Sequence, residues 1–156
     1  MTTLRPLAVP SGPDALTILP LLENALTGRA PIMPYAAELS PPVVAPHAPA
    51  DLPEGLALAV GTSGSTGRPK RALLTAAALE ASATSTHNAL GGSGAWLLAM
   101  PAHHIAGLQV LVRSIMSGTA PAIVDLRDGF TARSFAAATM SSPSAAAKVW
   151  YGTIAG

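Results

Sequence analysis

The sequence predicts an α/β fold, a largely parallel sheet flanked by helices. Three observations carry it. From Leu56 onward, short apolar runs alternate with longer helical segments, the pattern of parallel strands joined by helices. The first of those runs, LALAVGT, stops at a glycine-rich loop, as a buried strand does at the ligand edge of such a sheet. The composition, 49 % hydrophobic and 11 % charged over 156 residues, supplies a core for one ordinary domain and excludes general disorder.

Taken in order, Asp14 is placed to cap a helix that runs to about Leu26, with Leu16, Leu19, Leu22 and Leu26 on one face. Pro20 kinks that helix or shifts its start, and Gly28 stops it. The proline-dense stretch APIMPYAAELSPPVVAPHAPADLPEG reads as an extended surface crossing with little regular structure. LALAVGT is a strand, and RALLT beyond the loop is a second short one. Thr75 caps the helix AAALEASATSTHNAL, which Gly91 and Gly92 end. AWLLAM is a strand stopped by Pro101. HHIAGLQVLVRSIMSG is a helix ending near Gly118, PAIVDL a strand, and GFTARSFAAATM a helix. The last segment, MSSPSAAAKVWYGTIAG, is low in complexity and lacks the next strand that the pattern calls for. The reading therefore divides the chain into residues 1–55 (helix and proline-rich connection), 56–140 (α/β unit) and 141–156 (irregular tail).

Bulk properties narrow the partners. A formal net charge of +1 gives no electrostatic case for nucleic acid or a membrane surface, and 4 % aromatic residues give no base-stacking platform. No cysteine is present, which rules out disulfides and thiolate metal sites and fits a cytoplasmic protein. The start does not read as a signal peptide, and the most apolar region is broken by Pro101, His103, His104 and Arg113, short of the roughly 18 residues of a membrane helix.

The loop GTSGSTGRPK holds the first chemistry. Gly64 and Gly67 allow tight turns and close backbone approach to an anion. Thr62, Ser63, Ser65 and Thr66 add hydroxyl donors, and Lys70 adds a point charge. The string is not a Walker A loop, because Arg68 and Pro69 separate Gly67 from Lys70. Taken alone, a serine- and glycine-rich surface loop would explain it as well.

TSGSTGRPK resembles the phosphate-binding signature of the adenylate-forming superfamily, which includes acyl-CoA synthetases, luciferases and peptide-synthetase adenylation domains. About 40 residues on, MPAHHIAGLQVLVRS resembles the superfamily's next motif. Its extended form, HHIAGLQVLVRS, together with PKRALLT, looks most like the o-succinylbenzoate–CoA ligase branch. Without that resemblance, adjacent histidines at a helix start would be a poor metal pair, one buried and one at the surface.

The resemblance implies the amino-terminal part of the adenylate-forming fold. It implies a two-step reaction in which ATP activates a carboxylate, o-succinylbenzoate by this branch, and coenzyme A then takes the acyl group. Thr62 to Gly67 and Lys70 would hold the ATP phosphates with Mg²⁺, with no protein metal ligand named. Lys70 and His104 would be the catalytic residues. His104 would line the acyl and adenylate site, and Gly107 would permit close approach of substrate. Arg113 would contact an anionic substrate or serve as a structural ion-pair partner. His47, His87 and Asp125 have no supporting context, and Trp96 and Met100 read as core.

The resemblance covers about Leu56 to Phe130. The threonine–glutamate motif for Mg²⁺, the ribose-binding aspartate, the hinge and the mobile domain with its catalytic lysine are not found, and Lys148 does not stand in that lysine's context. The expectation is an amino-terminal piece, cut short by truncation or frameshift and inactive alone, for which a complementing carboxy-terminal chain is one candidate partner. The alternatives are a non-catalytic nucleotide- or phosphate-binding remnant, or a piece of another fatty-acid or aryl-CoA ligase.

Overall fold

The computed structural model describes residues 3–44, 52–62, 70–141 and 149–151. Its strands are β1 (Arg5–Val9), β2 (Ile32–Ala36), β3 (Leu56–Thr62), β4 (Lys70–Thr75), β5 (Ala95–Leu98), β6 (Ala122–Ile123) and β7 (Val149–Tyr151). Its α-helices are α1 (Leu19–Leu26), α2 (Ala76–Ala89), α3 (Ile105–Ser117) and α4 (Ala132–Met140). One sheet has the order β1-β2-β3-β4 and the other β6-β5-β7. Every pairing is parallel except β3 with β4.

The proline-rich surface crossing is corrected. It contains β2, whose Ile32 and Met33 are buried and which joins β1 to β3. Pro34 explains why the strand was missed. It has no N–H to give a ladder, and β2 pairs with β3 at Ile32↔Leu58 alone. β1, in RPLAV, was not anticipated either. The tail is corrected in the same sense, since β7 supplies the strand that seemed lacking and pairs with β5.

The first helix also differs in detail. Residues Gly12–Ile18 form a 3-10 helix entered from Ser11, so Asp14 lies in its first turn and is not its cap. Pro20 stands in the first turn of α1, where no N–H partner is required. Gly28 closes α1, its N–H donating to the Ala25 carbonyl at 2.9 Å.

The remaining helices follow their sequence signals. The Thr75 hydroxyl accepts from the Ala78 N–H at 3.2 Å to cap α2. Leu79, Ala83 and His87, one turn apart, form the stripe that α2 buries. α3 ends on Gly118 at φ 65°, a left-handed cap suited to glycine. Its Leu108, Val110, Leu111 and Val112 are buried with Leu22, Leu58, Leu79 and Trp96 in one core between α1, α2, α3 and the sheets. No helix among the described residues is long and apolar enough to cross a membrane.

Candidate functional site

The carboxyl ends of the strands gather on one edge. Val9 of β1 pairs with Ala36 of β2. The register Ile32↔Leu58, carried forward along both strands, brings Ala36 level with Thr62. Thr62 in turn pairs with Lys70, because β4 runs back antiparallel. Thr62 therefore lies two strand spacings, about 10 Å, from the end of β1, and Lys70 three, about 14 Å. Ser63, Gly64, Ser65, Thr66 and Gly67 lie outside the described residues. Lys70 is exposed at the end of the loop.

A cavity of about 450 Å³ opens on the same edge. Residues 10–12 and Glu38, following β1 and β2, form one side. Residues 100–103, following β5, and Ile123, Val124, Leu126 and Arg127, at the end of β6 and after it, form the other. It sits beyond the carboxyl ends of strands from both sheets, where α/β proteins place ligands. Leu98, Met100 and Val124 give it apolar walls, and Glu38, His103 and Arg127 stand among them.

Its charges are largely met locally. The Ser11 hydroxyl donates to the Glu38 carboxylate and, with a backbone bond, holds its pKa below the usual carboxylate range. Arg127 forks onto Asp125, with Nε donating to Oδ1 at 2.9 Å. Those bonds lower the aspartate's pKa and raise the arginine's.

The structure separates the two histidines. His104 is the exposed N-cap of α3, with extended backbone, and its carbonyl accepts the helix's first bond, from Leu108 N–H at 3.0 Å. His103 is half-buried and lines the cavity. Burial lowers its pKa, the charge of His104 adds to that, and Glu38 opposes it. The rings meet at 4.1 Å between centroids, tilted by 48°. His103 is thus a site residue the sequence reading passed over. The doublet announced a surface and a buried histidine, but nothing in it said that the buried one faces a cavity.

Gly107 is buried for a reason internal to the chain. A Cβ there would lie 2.9 Å from Ala102 Cα and closer still to the Pro101 carbonyl oxygen. The approach it permits is that of the turn before α3, which carries His103 and His104. Arg113, nine residues past His104, is about 13 Å further along the helix axis. Its guanidinium stacks over Trp96, 5.1 Å from the ring centroid, and burial lowers its pKa. The structure does not bring it beside His104. Its Nε is buried without a hydrogen-bond partner, and no carboxylate pairs with it among the described residues.

A family model for AMP-binding enzymes matches residues 14–147. The chain belongs to the AMP-binding enzyme family. It is 44 % identical over 128 residues to the probable 2-succinylbenzoate–CoA ligases of two strains of Mycobacterium tuberculosis. The match covers 81 % of this chain and 33 % of each relative, so the chain spans about a third of the length of those relatives.

Two solved structures share the family fold with it. The o-succinylbenzoate CoA synthetase of Bacillus subtilis in complex with its acyl-adenylate intermediate superposes with a TM-score of 0.64 at 16 % identity, over 89 % of this chain and 46 % of that one. The same enzyme in complex with AMP gives 0.56 at 17 % identity, with the same coverage. At these identities the likeness concerns the fold, that of the amino-terminal region of adenylate-forming enzymes.

Proposed function

We propose that this chain supplies the phosphate-holding edge of an ATP-dependent acyl-CoA ligase, with o-succinylbenzoate as the acid. The observation that carries the reading is the loop TSGSTGRPK set between β3 and β4 at the ligand edge, in a chain 44 % identical to 2-succinylbenzoate–CoA ligases.

In the reaction, a carboxylate oxygen of the acid attacks the α-phosphorus of ATP and pyrophosphate leaves. The thiolate of coenzyme A then attacks the acyl carbon, and AMP departs with the electron pair of the broken bond. Negative charge grows on the leaving phosphates in the first step, so donors fixed at that position accelerate it. Lys70 and the hydroxyls and N–H groups of residues 62–67 have that role here. His104 meets the acyl-adenylate at the amino end of α3, where the helix dipole favours an anion. Gly107 serves the same contact by seating the turn that carries His104. Arg113, stacked over Trp96 and remote from His104, takes the structural role and ties the middle of α3 to β5. Mg²⁺ bound with ATP would neutralise part of the phosphate charge; among the described residues no group of three or more His, Cys, Asp or Glu side chains gathers to hold a metal by itself.

These 156 residues alone bind nucleotide without completing the thioester, which needs what lies in the other two-thirds of the relatives' length. The test mixes the 156-residue chain with ATP, coenzyme A and each of o-succinylbenzoate, benzoate and a fatty acid. The remaining portion of a Mycobacterium tuberculosis relative is present or absent. Thioester from o-succinylbenzoate in the mixture, with ATP binding alone in its absence, supports the reading. Thioester formation by the chain alone overturns the need for a complement. A preference for benzoate or fatty acid overturns the substrate, and absence of ATP binding overturns the whole reading.

A further inference from the structure

We propose that His103, in the cavity it shares with Glu38, is a positioning residue that fixes the ring of His104 at the amino end of α3. The proposal rests on the reading above, in which His104 meets the ligand.

His104 is exposed and makes no side-chain capping bond, so alone its ring would be spread over several rotamers. Its neighbour removes that freedom, because the His103 ring lies 4.1 Å away, centroid to centroid. His103 is held in turn. It is half-buried in the turn Pro101–His104, which α3 clamps through Gly107, where even a Cβ has no room. The charged and titratable groups around it are few. Glu38, in the turn after β2 and tied to Ser11 in the loop after β1, lines the same cavity. His104 adjoins it, and Arg127, bound to Asp125, stands elsewhere on the cavity wall. Only Glu38 favours its protonated form, while burial and His104 oppose it. Loops after β1, β2 and β5 thus meet around the cavity that this imidazole lines, with the ring of His104 beside it.

The test is imidazole NMR on the full 156-residue chain and its variants, first without ligand and then with AMP and o-succinylbenzoate added. In the unmodified chain the His104 ring resonances should show a pH inflection that reports His103, and ring-to-ring NOEs. Glu38→Gln should move that inflection to lower pH. His103→Phe keeps an aromatic ring in place, so it should preserve the NOEs and keep ligand affinity within about twofold while abolishing the inflection due to His103. His103→Ala should abolish both and weaken ligand binding at least about threefold.

An unchanged His104 spectrum in His103→Ala overturns the proposal, as does an inflection that Glu38→Gln leaves in place. If the ligands leave the His104 resonances unmoved while the coupling is present, positioning stands and the ligand reading fails.

Discussion

Thr62, the last residue of β3, and Lys70, the first of β4, face each other as the end pair of an antiparallel ladder. The loop between them leaves and re-enters the sheet at one point, so Lys70 stands at the loop's base. The next residue, Arg71, donates to the Val43 carbonyl at 3.3 Å. Lys70→Ala should weaken ATP binding about tenfold, the order of one charge-assisted bond to phosphate, and added salt should narrow the difference. Arg71→Ala should leave affinity within about twofold. Calorimetric titration of both variants checks it, and equal ATP affinity in Lys70→Ala and the unmodified chain removes the lysine from the phosphate site.

Gly107→Ala should destabilise the fold by about 1–3 kcal/mol, the usual range for overpacking. The added methyl meets backbone of Pro101 and Ala102 and not a flexible side-chain end, so the turn must move. Because that turn carries both histidines, the His104 ring resonances should shift as well. Urea denaturation gives the first quantity and NMR the second. An alanine variant as stable as the parent would show that the turn relaxes freely.

How far the sequence spoke depended on whether a signal was local. Thr75 before an apolar-periodic run, and Gly118 after one, are decided within a turn of helix, and both ends fall where they were expected. The loop at residues 62–70 carried its chemistry in its own letters. β2 was illegible because its Pro34 argues against a strand, while the neighbours that override it, β1 and β3, are far away in sequence. The cavity was illegible for the same reason. It is assembled by ends of β1, β2, β5 and β6 whose juxtaposition only the topology supplies, so His103 and Glu38 gave no sign of one another.

The cap on α2 should be measurable by itself. Thr75→Ala removes the acceptor for the Ala78 N–H, at a cost of about 1 kcal/mol, and Thr75→Ser should recover most of it. Thr75 also ends β4, so the loss should come with faster hydrogen exchange in the first turn of α2. Denaturation midpoints for the pair of variants decide it. A serine variant no better than alanine would place the effect in the strand and not in the cap.

Acid should weaken the fold first through histidine. His87 is 8 % exposed, and burial, with the charge of Arg113 behind it, holds its imidazole below its ordinary pKa. Near pH 6.5 and below, the unfolded chain takes up a proton that the folded chain resists. The unfolded state then binds more protons, so stability falls as pH drops through that value and levels off only below the folded pKa. His103 acts with the same sign, burial again leading. Glu38 and Asp125, both lowered by hydrogen bonds, lose their contribution only as pH falls into and below the carboxylate range, which separates the two windows. Tm should therefore decline between about pH 7.5 and 5.5. The decline should be shallower in His87→Gln, which cannot titrate and can still reach the Ser117 hydroxyl that His87 meets at 3.2 Å. An identical slope in that variant would clear His87 of the effect and leave His103 to be examined by the same substitution.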